Sequence, residues 1–269
     1  MRPARRVALA LLVAALGAAA CASAPRTSIL SADEEYEQGI DAYNRGKWSS
    51  AAEHLNRLVL NYSEDPRAAQ ARYLLGQANF HNEEYPSAAQ DFERFQQDFP
   101  TDSLSDDAFY WAGRSYEAQA LKPELDQSDT QRAISQYGEL RRQYPASPFA
   151  DEARDRIRAL RDRLAAKEFM NARYYFKQKL WKATEIYVRS LIEQFPESSY
   201  VAPAYLMLVR AYEGQGRLDD AQRIRNTLLE QFPESPEARQ VGGPGREPDQ
   251  PSSAAAAASA PGGSTGEAP

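Results

Sequence analysis

The hydrophobic pattern along this chain repeats. An aromatic–proline pair recurs as Phe99-Pro100, Tyr144-Pro145, Phe195-Pro196 and Phe232-Pro233, and Tyr62 followed by Pro66 is a looser first copy. Each pair closes a helical stretch, because proline cannot continue a helix and pushes its predecessor out of helical geometry. Two helices fit inside each period. In the second, Ala69 to His81 leads to a turn at Asn82-Glu83-Glu84, and a helix from Tyr85 to Asp98 follows with Ala88, Phe92 and Phe95 on one face. The fifth copies it with Tyr205, Leu208 and Tyr212, the turn Gly214-Gln215-Gly216, then Leu218, Ala221 and Leu228. The first has Gly39, Tyr43, Gly46, Ala51, Leu55 and Leu58; the fourth has Tyr175, Trp181, Ala183, Val188 and Leu191.

Small residues where two helices cross, large apolar residues in the groove and a closing proline form the tetratricopeptide pattern. The pattern predicts an all-α fold, a superhelical array of five tetratricopeptide-type helical hairpins at 31–66, 67–102, 103–148, 149–198 and 199–239. Two repeats are stretched. In the third, a segment at 121–128 separates helices predicted over Ser103 to Ala120 and Thr130 to Tyr144. In the fourth, Asp151 to Gln178 reads as one long helix with Ile157, Leu160, Leu164 and Phe169 on its apolar side. Either the spacing has drifted or the middle of the array carries an elongated hairpin; the second reading is preferred.

The ends differ from the repeats. Arg2, Arg5 and Arg6 precede the apolar run Val7 to Leu16, which is about half the ~20 residues needed to span a bilayer. Residues 1–20 therefore read as an export signal. Gly17-Ala18-Ala19-Ala20 then precedes Cys21, the single cysteine, with a short linker over 21–30. This layout is similar to a bacterial lipobox, with Ala18 where leucine is usual, and predicts an N-acyl diacylglycerol on Cys21 as the only attached group. An ordinary Ala-x-Ala cleavage with an incidental cysteine is the competing reading. From 240 to 269 the chain is rich in Ala, Pro, Gly and Ser, contains no aromatic residue and reads as a disordered tail. A 42% hydrophobic composition supports a substantial core, and a net charge of -6 argues against general nucleic-acid binding.

Catalytic constellations do not emerge. His54 and His81 lie in different repeats with no neighbouring Cys or His, so neither zinc binding nor nucleophilic catalysis is indicated and each reads as a helix residue. Glu34-Glu35, Glu83-Glu84 and Asp106-Asp107 are adjacent in sequence, so on a helix their side chains diverge; they read as first-turn charges or solvated surface. The aromatic residues carry more information. Tyr36, Tyr73 and Tyr110 occupy the same place in the first helices of three repeats, with Tyr43, Gln77, Phe80 and Arg114 one or two turns further along. Such a stripe suits an extended or hairpin peptide with aromatic side chains, and it equally suits a packed core. Charge is segregated too: acids dominate from Asp33 to Asp107, and bases dominate from Arg141 to Lys182. Part of the basic run is a solvated face, and its excess could steer an acidic partner onto the C-terminal half.

The stretches Ala133–Ala153 (AISQYGELRRQYPASPFADEA), Leu160–Phe169 (LRDRLAAKEF) and Ala172–Ala183 (ARYYFKQKLWKA) resemble the BamD family of outer-membrane assembly lipoproteins, and the resemblance runs over about residues 21 to 235. The insertion at 121–128, the position of Ala18 and the long tail depart from that pattern. The resemblance implies a periplasm-facing, lipid-anchored subunit of the β-barrel assembly machinery. Its N-terminal repeats would receive unfolded outer-membrane proteins, its C-terminal repeats would dock on the barrel subunit BamA, and other assembly lipoproteins could join it. The implied client groove is Tyr36, Tyr43, Tyr73, Gln77, Phe80, Tyr110 and Arg114; the implied BamA surface surrounds Arg173, Lys177, Lys179, Tyr187 and Arg189. The alternative is a periplasmic tetratricopeptide coordinator of cell-wall synthesis or envelope constriction, which would share the repeat ends but usually starts with a coiled coil.

Overall fold

The computed structural model describes residues 30–242. Cys21, the export segment, the linker before residue 30 and the tail from 243 onward lie outside the described residues. The chain falls into two units, divided after Glu83. The first holds α1 (Ala32–Asn44), α2 (Trp48–Asn61) and α3 (Ala68–His81). The second holds α4 (Tyr85–Asp98), α5 (Ser105–Gln119), α6 (Ser128–Gln143), α7 (Ala150–Lys177), α8 (Trp181–Gln194), α9 (Val201–Gly214), α10 (Leu218–Gln231) and the short α11 (Pro236–Val241). Among the described residues there is no strand, and the order of elements is that of five helix pairs followed by α11.

The aromatic–proline signature is a backbone device. Tyr62, Phe99, Tyr144, Phe195 and Phe232 each cap a helix at φ near -130° and ψ near 55°. The carbonyl of each aromatic residue then accepts a bond from the amide three residues on, and in the first four copies that residue's carbonyl accepts from the next third residue. The relay Tyr62–Asp65–Ala68 recurs as Phe99–Asp102–Ser105, Tyr144–Ser147–Ala150 and Phe195–Ser198–Val201. It satisfies carbonyls and amides that helix ends leave unpaired. Within four of the five pairs the turn is tighter and holds one left-handed residue: Gly46, Glu83, Lys179 and Gly216 have φ of 69°, 64°, 58° and 73°. Glycine adopts that geometry freely, whereas Glu83 and Lys179 adopt it against the steric cost of a Cβ.

In the first unit, α1 begins with a reciprocal cap: the Ser31 hydroxyl accepts from the Glu34 amide, and the Glu34 carboxylate accepts from the Ser31 amide at 2.8 Å. Ala42, Ala51, Leu55, Leu58, Val59, Ala71, Leu75 and Ala78 form its core. In the second unit, Phe109, Tyr110, Tyr116, Ala133, Tyr137, Leu140, Ala153 and Leu160 form one core; Ala165, Ala172, Val188, Leu191 and most of α9 form another. The 28-residue α7 joins them, giving its N-terminal half to the first and its C-terminal half to the second.

The expected elongation is therefore one-sided. Helix α7 is long, but its partner α8 has 14 residues, and the extra segment before α6 is an irregular loop rather than more helix. That loop is fastened from inside and outside. The buried Gln127 amide donates to the carbonyls of Lys122 and Asp126 at 2.8 and 3.0 Å, while from α7 Arg163 reaches Ala120 O at 3.1 Å and Lys167 reaches Leu125 O at 2.9 Å. The insertion and the long helix are one feature.

Helix pairs approach closely where a glycine sits. A Cβ on Gly113 would lie 2.6–2.9 Å from three ring carbons of the fully buried Tyr137, and one on Gly39 would lie 2.9 Å from a Leu55 methyl. Tyr137 is fixed at both ends, since its hydroxyl donates to Glu117 at 2.7 Å, so the ring cannot yield. Overpacking of this kind costs about 1–3 kcal/mol. Gly113→Ala should lower the thermal midpoint accordingly, whereas Gly138→Ala, which meets nothing within 4 Å, should leave it unchanged or raise it; equal midpoints for both variants would contradict the close crossing.

Candidate protein-binding surfaces

The N-terminal candidates are organised by hydrogen bonds between first helices. Tyr36 on α1 donates its hydroxyl to Gln70 on α3 at 2.7 Å, and seven residues on Tyr43 donates to Gln77. The Gln77 amide nitrogen in turn donates to the Tyr73 hydroxyl at 2.6 Å. Each inter-helix bond spans 34 residues, about one repeat, so the two tyrosines grip the next first helix two turns apart. The Arg67 guanidinium lies 4.8 Å above the Tyr36 ring and pairs with Asp33 and Asp65, drawing the Asp65 carboxyl down to about 2 through the hydrogen bonds Arg67 donates. Tyr43 stands edge-on to Trp48, which stacks on His81 at 4.6 Å. Phe80 is half-buried beside His81.

The stripe therefore divides. Tyr36, Tyr43, Gln77 and Phe80 are half-buried and keep surface for a ligand, but Tyr73 is only 8% exposed. Tyr110 and Arg114 belong to the second unit. Tyr110 is 4% exposed, stacks on Phe149 at 4.3 Å and donates to Glu152 at 2.7 Å, while Arg114 donates to the Tyr110 hydroxyl at 3.1 Å. For Tyr73 and Tyr110 the core reading is the one the structure realises.

Glu35 lies in the first turn of α1, as one reading of the acidic pairs expects, but it is not solvated surface. It is 3% exposed, and its carboxylate accepts from Arg57 Nε at 2.7 Å while the other oxygen lies 2.7 Å from His54 Nδ1. The same His54 nitrogen lies 2.8 Å from Arg57 Nη2, so the three side chains form one cluster. Burial pushes the Glu35 pKa up, but the hydrogen bonds from Arg57 and His54 outweigh it and leave the carboxyl below its usual range. His54 is thus not a bystander, although its partner lies 19 residues away and no local motif marks it.

The C-terminal candidates also separate. Arg189 is tied into the fold: it donates to Glu185 at 3.0 Å and to the Tyr212 hydroxyl at 3.1 Å, and Tyr212 donates to Glu185 at 2.6 Å. Arg217 completes the cluster above the Tyr212 ring at 4.3 Å. Tyr187 stacks on Tyr175 at 5.1 Å, with Tyr174 edge-on to Tyr175. Tyr174 and Ile186 are each 60% exposed. Lys179 holds the left-handed turn between α7 and α8, whereas Arg173 and Lys177 line a different place, a cleft against α9 and α11. A larger cleft of about 850 Å³ gathers Arg141, Arg154, Arg158 and Arg161 with Phe195 and the α8–α9 connection. Arg154 and Arg161 have carboxylate partners there; Arg141 and Arg158 have none among the described residues. Sequence reading found the basic run but not these two enclosures, which depend on side chains from separate helices.

Among the described residues no group of three or more His, Cys, Asp or Glu side chains could hold a metal. No described helix is long and apolar enough to cross a membrane. Successive helix pairs, half-buried aromatic rings and charged clefts define a helical-repeat protein. A family model described as "YfiO: Outer membrane lipoprotein" matches residues 30–228, and the chain belongs to that family. Similar relatives include the outer membrane protein assembly factor BamD of Caulobacter vibrioides, 27% identical over 237 residues covering 86% of this chain and 77% of the relative. The protein of the same name from Vibrio cholerae is 24% identical over 203 residues, covering 72% and 84%. Among solved structures, the TPR2AB domain in the pHSP90 complex of yeast Sti1 aligns with a TM-score of 0.42 at 18% identity, over 78% of this chain and 81% of that one. Helical-repeat lipoproteins of this family are non-catalytic kinds of protein.

Removing the Glu35 charge tests the buried cluster. A carboxyl whose folded pKa is depressed stabilises fully above the ordinary carboxylate range and loses that contribution as pH falls through its folded value. The protein should therefore lose stability on acidification below about pH 4.5, and part of that loss should vanish in Glu35→Gln. At neutral pH Glu35→Gln should cost about 2 kcal/mol, near the low end for a broken buried pair because Arg57 is partly exposed. Identical pH–stability curves for the two proteins would contradict the assignment.

Proposed function

We infer that the protein is an outer-membrane protein assembly factor that works by binding other proteins rather than by catalysis. The observation that carries this reading is the family match across 30–228, which takes in every described helix pair except the last three residues of α10. The similarity to two relatives named as outer membrane protein assembly factors extends over 77% and 84% of their length. In this reading the half-buried rings of Tyr36, Tyr43 and Phe80, with the Gln77 amide between them, offer apolar area and hydrogen-bonding edges to an unfolded client. The exposed Tyr174 and Ile186, the Tyr175–Tyr187 stack and Lys179 at the turn between α7 and α8 support a second surface, for the barrel subunit of the machinery. Cys21 carries the lipid that holds the protein on the periplasmic face of the outer membrane.

Capture from envelope extracts in mild detergent tests the two surfaces together. The wild-type protein should recover the barrel subunit and unfolded barrel proteins; Tyr36→Ala with Phe80→Ala should lose at least half of the clients and keep the subunit; Tyr187→Glu should do the reverse. Recovery of cell-wall synthases in place of the barrel subunit would overturn the reading. For the anchor, Cys21→Ser should release the protein into the soluble fraction after a high-salt wash, and unchanged membrane association would refute lipidation.

A further inference from the structure

The cleft that takes Arg173 and Lys177 away from the α7–α8 end has its own chemistry. It lies between the C-terminal half of α7, α9 and α11, with a volume of about 320 Å³. Its floor is apolar: Phe169 and Phe176 from α7 meet Leu206 and Met207 of α9, the last two each 8% exposed. Its rim is cationic, formed by Arg173, Lys177 and Arg210 against the single carboxylate of Glu237. Arg173 and Lys177 have no hydrogen-bond or ion-pair partner among the described residues, and Arg210 bonds only the neutral amide of Gln240, at 2.8 Å. Three cations thus face one acid around a greasy depression, and nothing among the described residues consumes the excess.

We propose that this cleft binds an acidic peptide segment of another protein, placing one large apolar side chain on the Phe169–Phe176–Met207 floor and its flanking carboxylates against Arg173, Lys177 and Arg210. Charge complementarity selects the carboxylates, and the bidentate geometry of the two guanidinium groups suits them. The floor selects an apolar side chain, since a bare anion would leave that surface wet. The volume admits one aromatic or branched side chain, being near the lower limit for ligand pockets. The assignment rests on the cleft's own side chains and does not depend on the assembly-factor reading.

The test uses the full chain and a fluorescein-labelled peptide with one Phe between two pairs of Asp, titrated by anisotropy. Expected is saturable binding that weakens at least tenfold when Asn replaces every Asp, when Ala replaces the Phe, or when the protein carries Arg173→Glu with Lys177→Glu. Both substituted residues are exposed and leave the fold intact, which circular dichroism checks. Vesicles of phosphatidylglycerol form the contrasting arm. No peptide binding, binding indifferent to the double variant, or charge-dependent binding to the vesicles alone would each overturn the proposal.

Discussion

Everything in the second unit depends on α7 being one unbroken helix. Over its 28 residues it carries Ala153, Ile157 and Leu160 into one core, then Leu164, Ala165, Phe169 and Ala172 into the next. The small residues let neighbouring helices lie close, and the large ones fill what remains. A break near Arg161 would free the two cores from each other and would also release the loop at 120–127, which hangs from Arg163 and Lys167. The two clefts described above are both walled by this helix, so its continuity sets where Arg154, Arg158, Arg161, Arg173 and Lys177 are offered.

Polar groups do comparable work at a smaller scale. Tyrosine hydroxyls recur as ties between helices: Tyr36 to Gln70, Tyr110 to Glu152, Tyr137 to Glu117 and Tyr212 to Glu185. A buried hydroxyl left alone would be costly, and a satisfied one fixes orientation. Burial and the adjoining carboxylate push the Tyr116 pKa up to about 12, so this ring stays neutral in ordinary conditions and donates to Glu93. The aromatic content is therefore divided between packing and recognition, and it is the half-buried rings that remain to meet a partner.

Most of the fold was legible in the chain. The aromatic–proline period marked the five pairs, and helix ends fell within two residues of the expected ones, because capping and proline act locally. Burial was less legible. Tyr36, Tyr73 and Tyr110 share a register, yet periodicity says which residues share a face and not whether that face is covered by the next helix. Glu35 looked like a surface charge because its partners lie on another helix. The docking candidates between Arg173 and Arg189 looked like one surface because a linear charge run ignores helical phase: at about 100° per residue, Arg173 and Tyr175 already point apart. Family membership, by contrast, was visible in contiguous stretches that need no tertiary information.

The central claim is that this helical scaffold serves the assembly of outer-membrane barrels. Depleting it from growing cells, then following the heat-modifiable folded form of outer-membrane barrel proteins alongside soluble periplasmic proteins, tests that claim most directly. The account predicts that folded barrels fall severalfold and unfolded ones accumulate while the soluble proteins hold steady; barrel levels that do not change while cell-wall synthesis fails would contradict it.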